Sequence, residues 1–194
     1  MINKLILPAL LVCGFARADA IFNFDNDALG TATGFTDTVN GISATFSSSA
    51  DPGGFVIYQS MFETLTGNVL GDPGPAFQDN LSLTINFSQG LSAVTLDFAT
   101  SDFITPSPFT ITAYENGLSV GSATSTGQFL NGFTFPEGEI AFEGGTFNQL
   151  VLSSPAMDFA VDNINVIGAP EPGSFALLGS GLIRSGIAFK RRRQ

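Results

Sequence analysis

Asp25-Asn26-Asp27, in the stretch FNFDNDALG, and Asp162-Asn163, in MDFAVDNINV, are the side chains best suited to chemistry in this sequence. Carboxylate and amide oxygens are what hard divalent cations take, and calcium suits them because it accepts six to eight oxygens in loose geometry. Asp25, Asp27 and Gly30 are spaced like the opening of a calcium loop. Leu29, however, stands at the fifth ligand position and Thr36 where a bidentate Glu would close the loop, which excludes an EF-hand. A site shared between strands needs no such loop. In many sandwiches the first and last strands are neighbours, so Asp25 or Asp27 can meet Asp162 or Asn163. Calcium held by Asp25, Asp27 and Asp162 is therefore one expectation. Asp72 and Asp79, in GDPGPAFQDN, form a second acidic pair, but Pro-Gly turn chemistry already accounts for that loop.

The absent residues close off other chemistry. The chain has no His, which removes Ser-His-Asp and Cys-His machinery and His-based zinc sites. Its one cysteine, Cys13, lies in the N-terminal apolar stretch, so the body holds neither a disulfide nor a thiol nucleophile. Paired carboxylates for glycoside hydrolysis are available by inventory, but no spacing marks such a pair and no basic residue stands by to position a substrate. The chain is expected not to be an enzyme, and no catalytic residue is assigned. For sugar stacking there is no Trp and only Tyr58 and Tyr114; Tyr114, beside a hairpin turn, is the best-placed ligand-binding candidate.

Charge narrows the partners. Between Ile21 and Ala169 there is no Lys, Arg or His against fifteen Asp and Glu, so this body forms no internal salt bridge. Phosphate recognition needs clustered basic residues, which excludes nucleic acid. Self-repulsion of the acidic body is relieved by water, salt or bound cations.

The elements that must position these residues read as strands. In LSLTINFS, Leu81, Leu83, Ile85 and Phe87 face one way and the polar residues the other; VTLDF (94–98) and FTITA (109–113) repeat the alternation. Asn116-Gly117 suits a type I′ hairpin between strands ending at Tyr114 and beginning at Leu118. Further strands are expected at 21–24, 41–46, 55–58, 132–135, 139–142, 146–152 and 157–167, with no long amphipathic helix. Met157, Phe159 and Val161 alternate on one parity, Ile164 and Val166 on the other, so keeping both sets in the core requires a β-bulge near Asp162-Asn163. The fold class is all-β: an antiparallel two-sheet β-sandwich, jelly-roll-like, spanning 21–169, with seventeen Phe to fill its core.

Both ends read as addresses. Residues 1–20, with Lys4, the apolar run Leu5 to Phe15 and Ala18-Asp19-Ala20, form a secretory signal peptide, and a mature start at Ile21 is expected. At the other end, Pro170-Glu171-Pro172 precedes a mostly apolar stretch over 173–189 and the basic stop Lys190, Arg191, Arg192 and Arg193. That stretch is about 25 Å long as a helix, against about 30 Å of hydrocarbon. It reads as a short transmembrane sorting segment in which the basic cluster stays cytoplasmic and the body lies outside.

Pro170-Glu171-Pro172, FALLGSGL and the terminal KRRR together resemble the PEP-CTERM family of exported bacterial proteins. The resemblance covers residues 170–194. It implies a membrane-embedded exosortase as processing partner, and delivery to the cell envelope, surface or extracellular matrix of a Gram-negative bacterium that makes polysaccharide. The expected role is structural or adhesive in that matrix. A calcium-assisted carbohydrate-binding module and a glycoside-active enzyme remain the two other readings; exposed aromatics along a groove favour the module, convergent carboxylates in a cleft the enzyme.

Overall fold

The computed structural model describes residues 19–49, 54–72 and 81–170. The chain divides into two compact units, Ala18–Ala169 and a terminal unit of Met1–Arg17 with Pro170–Gln194. Of the terminal unit only Pro170 is described, so residues 1–18 of the expected signal peptide, Glu171, Pro172, the 173–189 span and Lys190 to Arg193 lie outside the described residues, as does Asp79. Asp19 and Ala20, the last two residues of that expected peptide, open the first strand of the larger unit. Among the described residues no helix is long and apolar enough to cross a membrane.

Eleven antiparallel strands form the larger unit: β1 (Asp19–Phe22), β2 (Phe35–Val39), β3 (Ile42–Ser48), β4 (Val56–Gln59), β5 (Asn68–Gly71), β6 (Ser82–Thr100), β7 (Pro108–Glu115), β8 (Leu118–Thr126), β9 (Gln128–Phe129), β10 (Pro136–Ser153) and β11 (Phe159–Gly168). Two of them are long and serve two layers. The first half of β6 pairs with β3 and with the end of β10, which continues through β7 to β8. The second half of β6 pairs with the start of β10 and with β11, whose other edge takes β5 and β1. Hydrogen bonding therefore runs through all eleven strands.

The crossover has a local cause. Between Glu143 and Gln149 the register of β10 against β6 slips twice, where Gly144-Gly145 supplies a positive φ of 61° at Gly145. Such bulges bend a strand and raise its twist. The segments expected separately at 81–88 and 94–98 are thus one strand, as are 139–142 and 146–152. Residues 132–135 are turn and loop rather than strand, because β10 begins only at Pro136. Strands β2 and β5 were not legible from alternation: β2 has no buried residue, and in β5 the consecutive residues Val69, Leu70 and Gly71 are all buried.

Phenylalanine rings join the layers. Phe98 on β6 stacks on Phe109 of β7 with centroids 4.5 Å apart, Phe109 meets Phe159 of β11 at 5.2 Å, and Phe22 of β1 meets Phe46 of β3 at 6.2 Å. Each fully buried Phe stabilises the fold by about 1.5–3 kcal/mol.

The expected hairpin is present: Glu115 pairs with Leu118, and Asn116 and Gly117 have φ of 51° and 80°. Asn40-Gly41, with φ of 50° and 82°, makes the same turn between β2 and β3. Gly117→Ala is expected to lower the unfolding free energy by about 1–2 kcal/mol, since a β-carbon is disfavoured in the left-handed region. A urea midpoint unchanged by that substitution would contradict the turn assignment.

Candidate functional site

At one end of the sandwich lies an open groove of about 280 Å³. Its floor is the end of β6 (Ala99, Thr100), the start of β11 (Phe159, Ala160) and Tyr58 of β4; Asp72 and Asp158 stand at its sides. Its upper walls are aromatic and come from loops: Met61 and Phe62 from the β4–β5 connection, Phe103 from the β6–β7 connection, and Phe135 just before β10. Phe135 meets Phe103 at 5.5 Å and Phe62 at 6.0 Å. Phe103 is 67% and Met61 62% exposed, and the neighbouring Ile104 is 90% exposed.

In a body without basic residues, the acidic side chains hold these walls through backbone amides and hydroxyls. Glu137, only 4% exposed, reaches from β10 into the β4–β5 connection. Its Oε1 accepts the Glu63 N–H at 2.9 Å, and its Oε2 accepts the Thr64 N–H and Oγ1–H, each at 2.6 Å. Asp102 does the same for the β6–β7 connection. Its Oδ2 accepts the Ser107 N–H at 2.7 Å and the Thr100 hydroxyl at 2.8 Å, and its Oδ1 accepts the Ser107 hydroxyl at 2.8 Å. Charge-assisted bonds of this kind are about twice as strong as neutral ones, so both loops are positioned before any ligand arrives.

The floor is electrostatically negative. Burial, followed by the charges of Asp158 and Asp72, pushes the Tyr58 hydroxyl above its ordinary range, so it stays protonated. The groove thus offers apolar ring faces together with the carboxylate oxygens of Asp72 and Asp158 and the Tyr58 and Thr100 hydroxyls. Such a site suits a ligand with an apolar face and hydroxyl or cationic edges.

Of the residues singled out from sequence, Asp162 is the one the fold treats most unusually. The bulge exists: Asp162 pairs with Asp97 and Asn165 with Thr95, leaving Asn163 at φ 49°. Both parities enter the core, since Phe159, Val161, Ile164 and Val166 are all buried, but Met157, which was expected with them, precedes β11 and is exposed. Asp162 is itself 1% exposed. Its Oδ1 accepts the Asn163 N–H at 2.7 Å, whereas its Oδ2 is buried without a hydrogen bond among the described residues. Asp97 faces it from β6 and accepts Asn163 Nδ2 at 2.9 Å; Glu139 on β10 is next in the same cross-strand row.

Asp25 joins this group and Asp27 does not. Asp25 Oδ1 accepts the Asn68 N–H at 2.9 Å, packing so closely over Gly67 that a β-carbon there would overlap it. Its charge acts on Asp162. Asp27 faces Asp37 instead, and burial with that charge raises its pKa. No three acidic side chains among the described residues converge enough to hold a metal ion on carboxylates alone. Tyr114 is half-buried on β7 between β10 and β8 and does not line the groove.

Alternation concealed the groove aromatics, because most Phe in this chain sit on core-facing positions. For Phe103 the available signal was negative, since Phe103-Ile104 in SDFITPSP occupies a turn-rich stretch with no alternation to bury it; Phe135 in NGFTFPE alternates with Phe133 and reads as strand.

No protein-family model matches the chain, and no curated protein matches it. Among solved structures, the K2 cleaved adhesin domain of Lys-gingipain is similar with a TM-score of 0.52 and 14% identity, over 77% of this chain and 97% of that domain. The K1 cleaved adhesin domain of Lys-gingipain from Porphyromonas gingivalis W83 gives 0.47 and 9%, over 76% and 96%. A family 11 carbohydrate-binding module from a cellulosomal cellulase of Clostridium thermocellum gives 0.39 and 14%, over 79% and 96%. At 14% identity the first likeness extends to the fold alone.

Proposed function

We propose that this protein is an exported, non-catalytic surface domain that adheres to an extracellular glycan through the groove between Phe62, Phe103 and Phe135. The observation that carries this reading is the groove itself. Phe103, on a loop that Asp102 holds in place, is two-thirds exposed, the most exposed Phe among the described residues. An adhesive role is also the role named for the K2 domain, whose fold is similar. Residues 170–194 supply the route: the sorting tail hands the exported body to an exosortase, which leaves it in the envelope or polysaccharide matrix. The finer fold assignment, a jelly-roll, belongs to the same reading.

Electrostatics sets a preference. With Asp72 and Asp158 at the groove and no basic residue anywhere in the body, neutral or cationic sugars are accepted and uronic acids repelled. The test is a glycan panel containing neutral, amino and uronic-acid oligosaccharides, read with the purified protein. Neutral or amino sugars should bind, and Phe103→Ala should weaken that binding up to about tenfold, the worth of one stacking contact. A folded protein that binds nothing, or binds uronic acids best, overturns the proposal.

Glycoside hydrolysis is the second reading, favoured by Asp72 and Asp158 sharing one groove. New reducing ends released from a bound glycan, and lost in Asp72→Asn and Asp158→Asn, would establish it over adhesion.

A further inference from the structure

Asp162 presents a problem the groove does not solve. Its carboxyl is 1% exposed, Oδ2 has no hydrogen-bond partner within 3.5 Å among the described residues although the Thr66 amide acts on the group, and Asp97 stands directly opposite with Glu139 beyond it in the row. Like charges facing each other across strands destabilise a sheet, and a buried carboxylate oxygen without a partner costs more still. At Glu137 and Asp102, by contrast, both carboxylate oxygens are answered by amides and hydroxyls. Here Asp25 adds a further negative charge. No Lys, Arg or His exists between Ile21 and Ala169 to offset it. What restores the balance must come from solution and must be positive.

We propose that Asp162 and Asp25 together hold a divalent cation, calcium by its chemistry, between the bulge of β11 and the segment that follows β1. Asp162 supplies a buried oxygen and Asp25, which is exposed, the solvent-facing one. Backbone carbonyls and water complete the shell, the usual complement when only two carboxylates are at hand. Magnesium, which demands a tight octahedron and sheds water reluctantly, suits a site shared by a bulge and a loop less well. Asp97 contributes charge from the second rank, its Oδ2 being engaged by Asn163. The Gly67-Asn68 backbone that carries Asp25 is the far end of the loop that Glu137 grips at Glu63 and Thr64. The cation therefore pins the opposite end of the segment that presents Met61 and Phe62. The site stands whatever the groove takes.

The experiment is calcium titration of the purified, chelator-treated protein by calorimetry, with melting followed in calcium and in chelator. One calcium per chain is expected, with a melting temperature raised by about 5–10 °C at a hundredfold excess over Kd. Asp162→Asn and Asp25→Asn should each abolish the rise, and Asp27→Asn should keep it. Asp25→Asn serves as the second variant because its exposed side chain can be changed without disturbing the core. Absence of any calcium heat from folded protein, or a rise that survives both Asp162→Asn and Asp25→Asn, overturns the proposal.

Discussion

In chelator, the protein is expected to lose stability as the pH rises from about 4 to about 7, the reverse of ordinary acid denaturation. Asp162 carries the effect, its pKa pushed up to about 7 from 3.8. Burial is the main cause; Asp25 and Asp97 add to it, and the amides of Asn163 and Thr66 oppose it. Because the folded value lies above the unfolded one, the folded state holds the proton more tightly. The stabilisation is complete below about pH 4 and lost as the pH passes about 7, amounting at 1.36 kcal/mol per unit to at most about 4 kcal/mol. Asp27, raised by burial and by Asp37, acts in the same direction. Urea unfolding at about pH 4.5 and about pH 7.5 measures the difference directly. Asp162→Asn should flatten the dependence and stabilise the metal-free protein above neutrality. A midpoint that rises with pH, or a slope unchanged in Asp162→Asn, would show that another group controls it.

The second large effect belongs to Glu137. Glu137→Ala removes the acceptor of three hydrogen bonds and leaves the Glu63 and Thr64 amides to find water inside a partly buried loop. At about 1–3 kcal/mol for each stranded group, the expected loss is about 3 kcal/mol of unfolding free energy. The loss is also local. Without this anchor the β4–β5 connection no longer fixes Phe62 against Phe135, so glycan affinity should fall by more than the tenfold expected of Phe103→Ala. Glu137→Gln keeps the shape and one acceptor oxygen, and should lose less on both counts. Amide exchange separates this from a general loosening: Glu63 and Thr64 should become unprotected while the β6 and β11 amides remain slow. Continued protection of those two amides in Glu137→Ala would mean the loop is held by something else.

Glu137 and Asp162 also mark the boundary between what was legible in the sequence and what was not. Alternation in LSLTINFS, VTLDF and FTITA depends only on local geometry, because side chains reverse face at every residue of a strand. The same holds for the Asn116-Gly117 turn, where only residues tolerant of positive φ fit. The bulge at Asp162-Asn163 was readable for a related reason: two apolar parities in one strand cannot both be buried without an extra residue. The absence of basic residues, a matter of composition, already required that the body's carboxylates find uncharged or external partners.

The partners themselves depend on the tertiary structure. Glu137 and Glu139 are two residues apart in a Gly- and Pro-punctuated stretch, and nothing local distinguishes the one that is buried and grips a loop 73 and 74 residues away from the one that faces solvent. Asp25 and Asp27 flank the same Asn beyond the end of β1, yet in the fold the charge of Asp25 acts on Asp162 while Asp27 feels Asp37. Phe103 and Phe98 are the same residue type five positions apart; one stacks on Phe109 in the core and the other lines a groove. Sequence alone determined the all-β character, the bulge and the charge imbalance, because these follow from periodicity and counting. Which carboxylate meets which amide, and which aromatic is left for a ligand, was decided only when β6 and β10 bent through both layers and brought distant loops to one end.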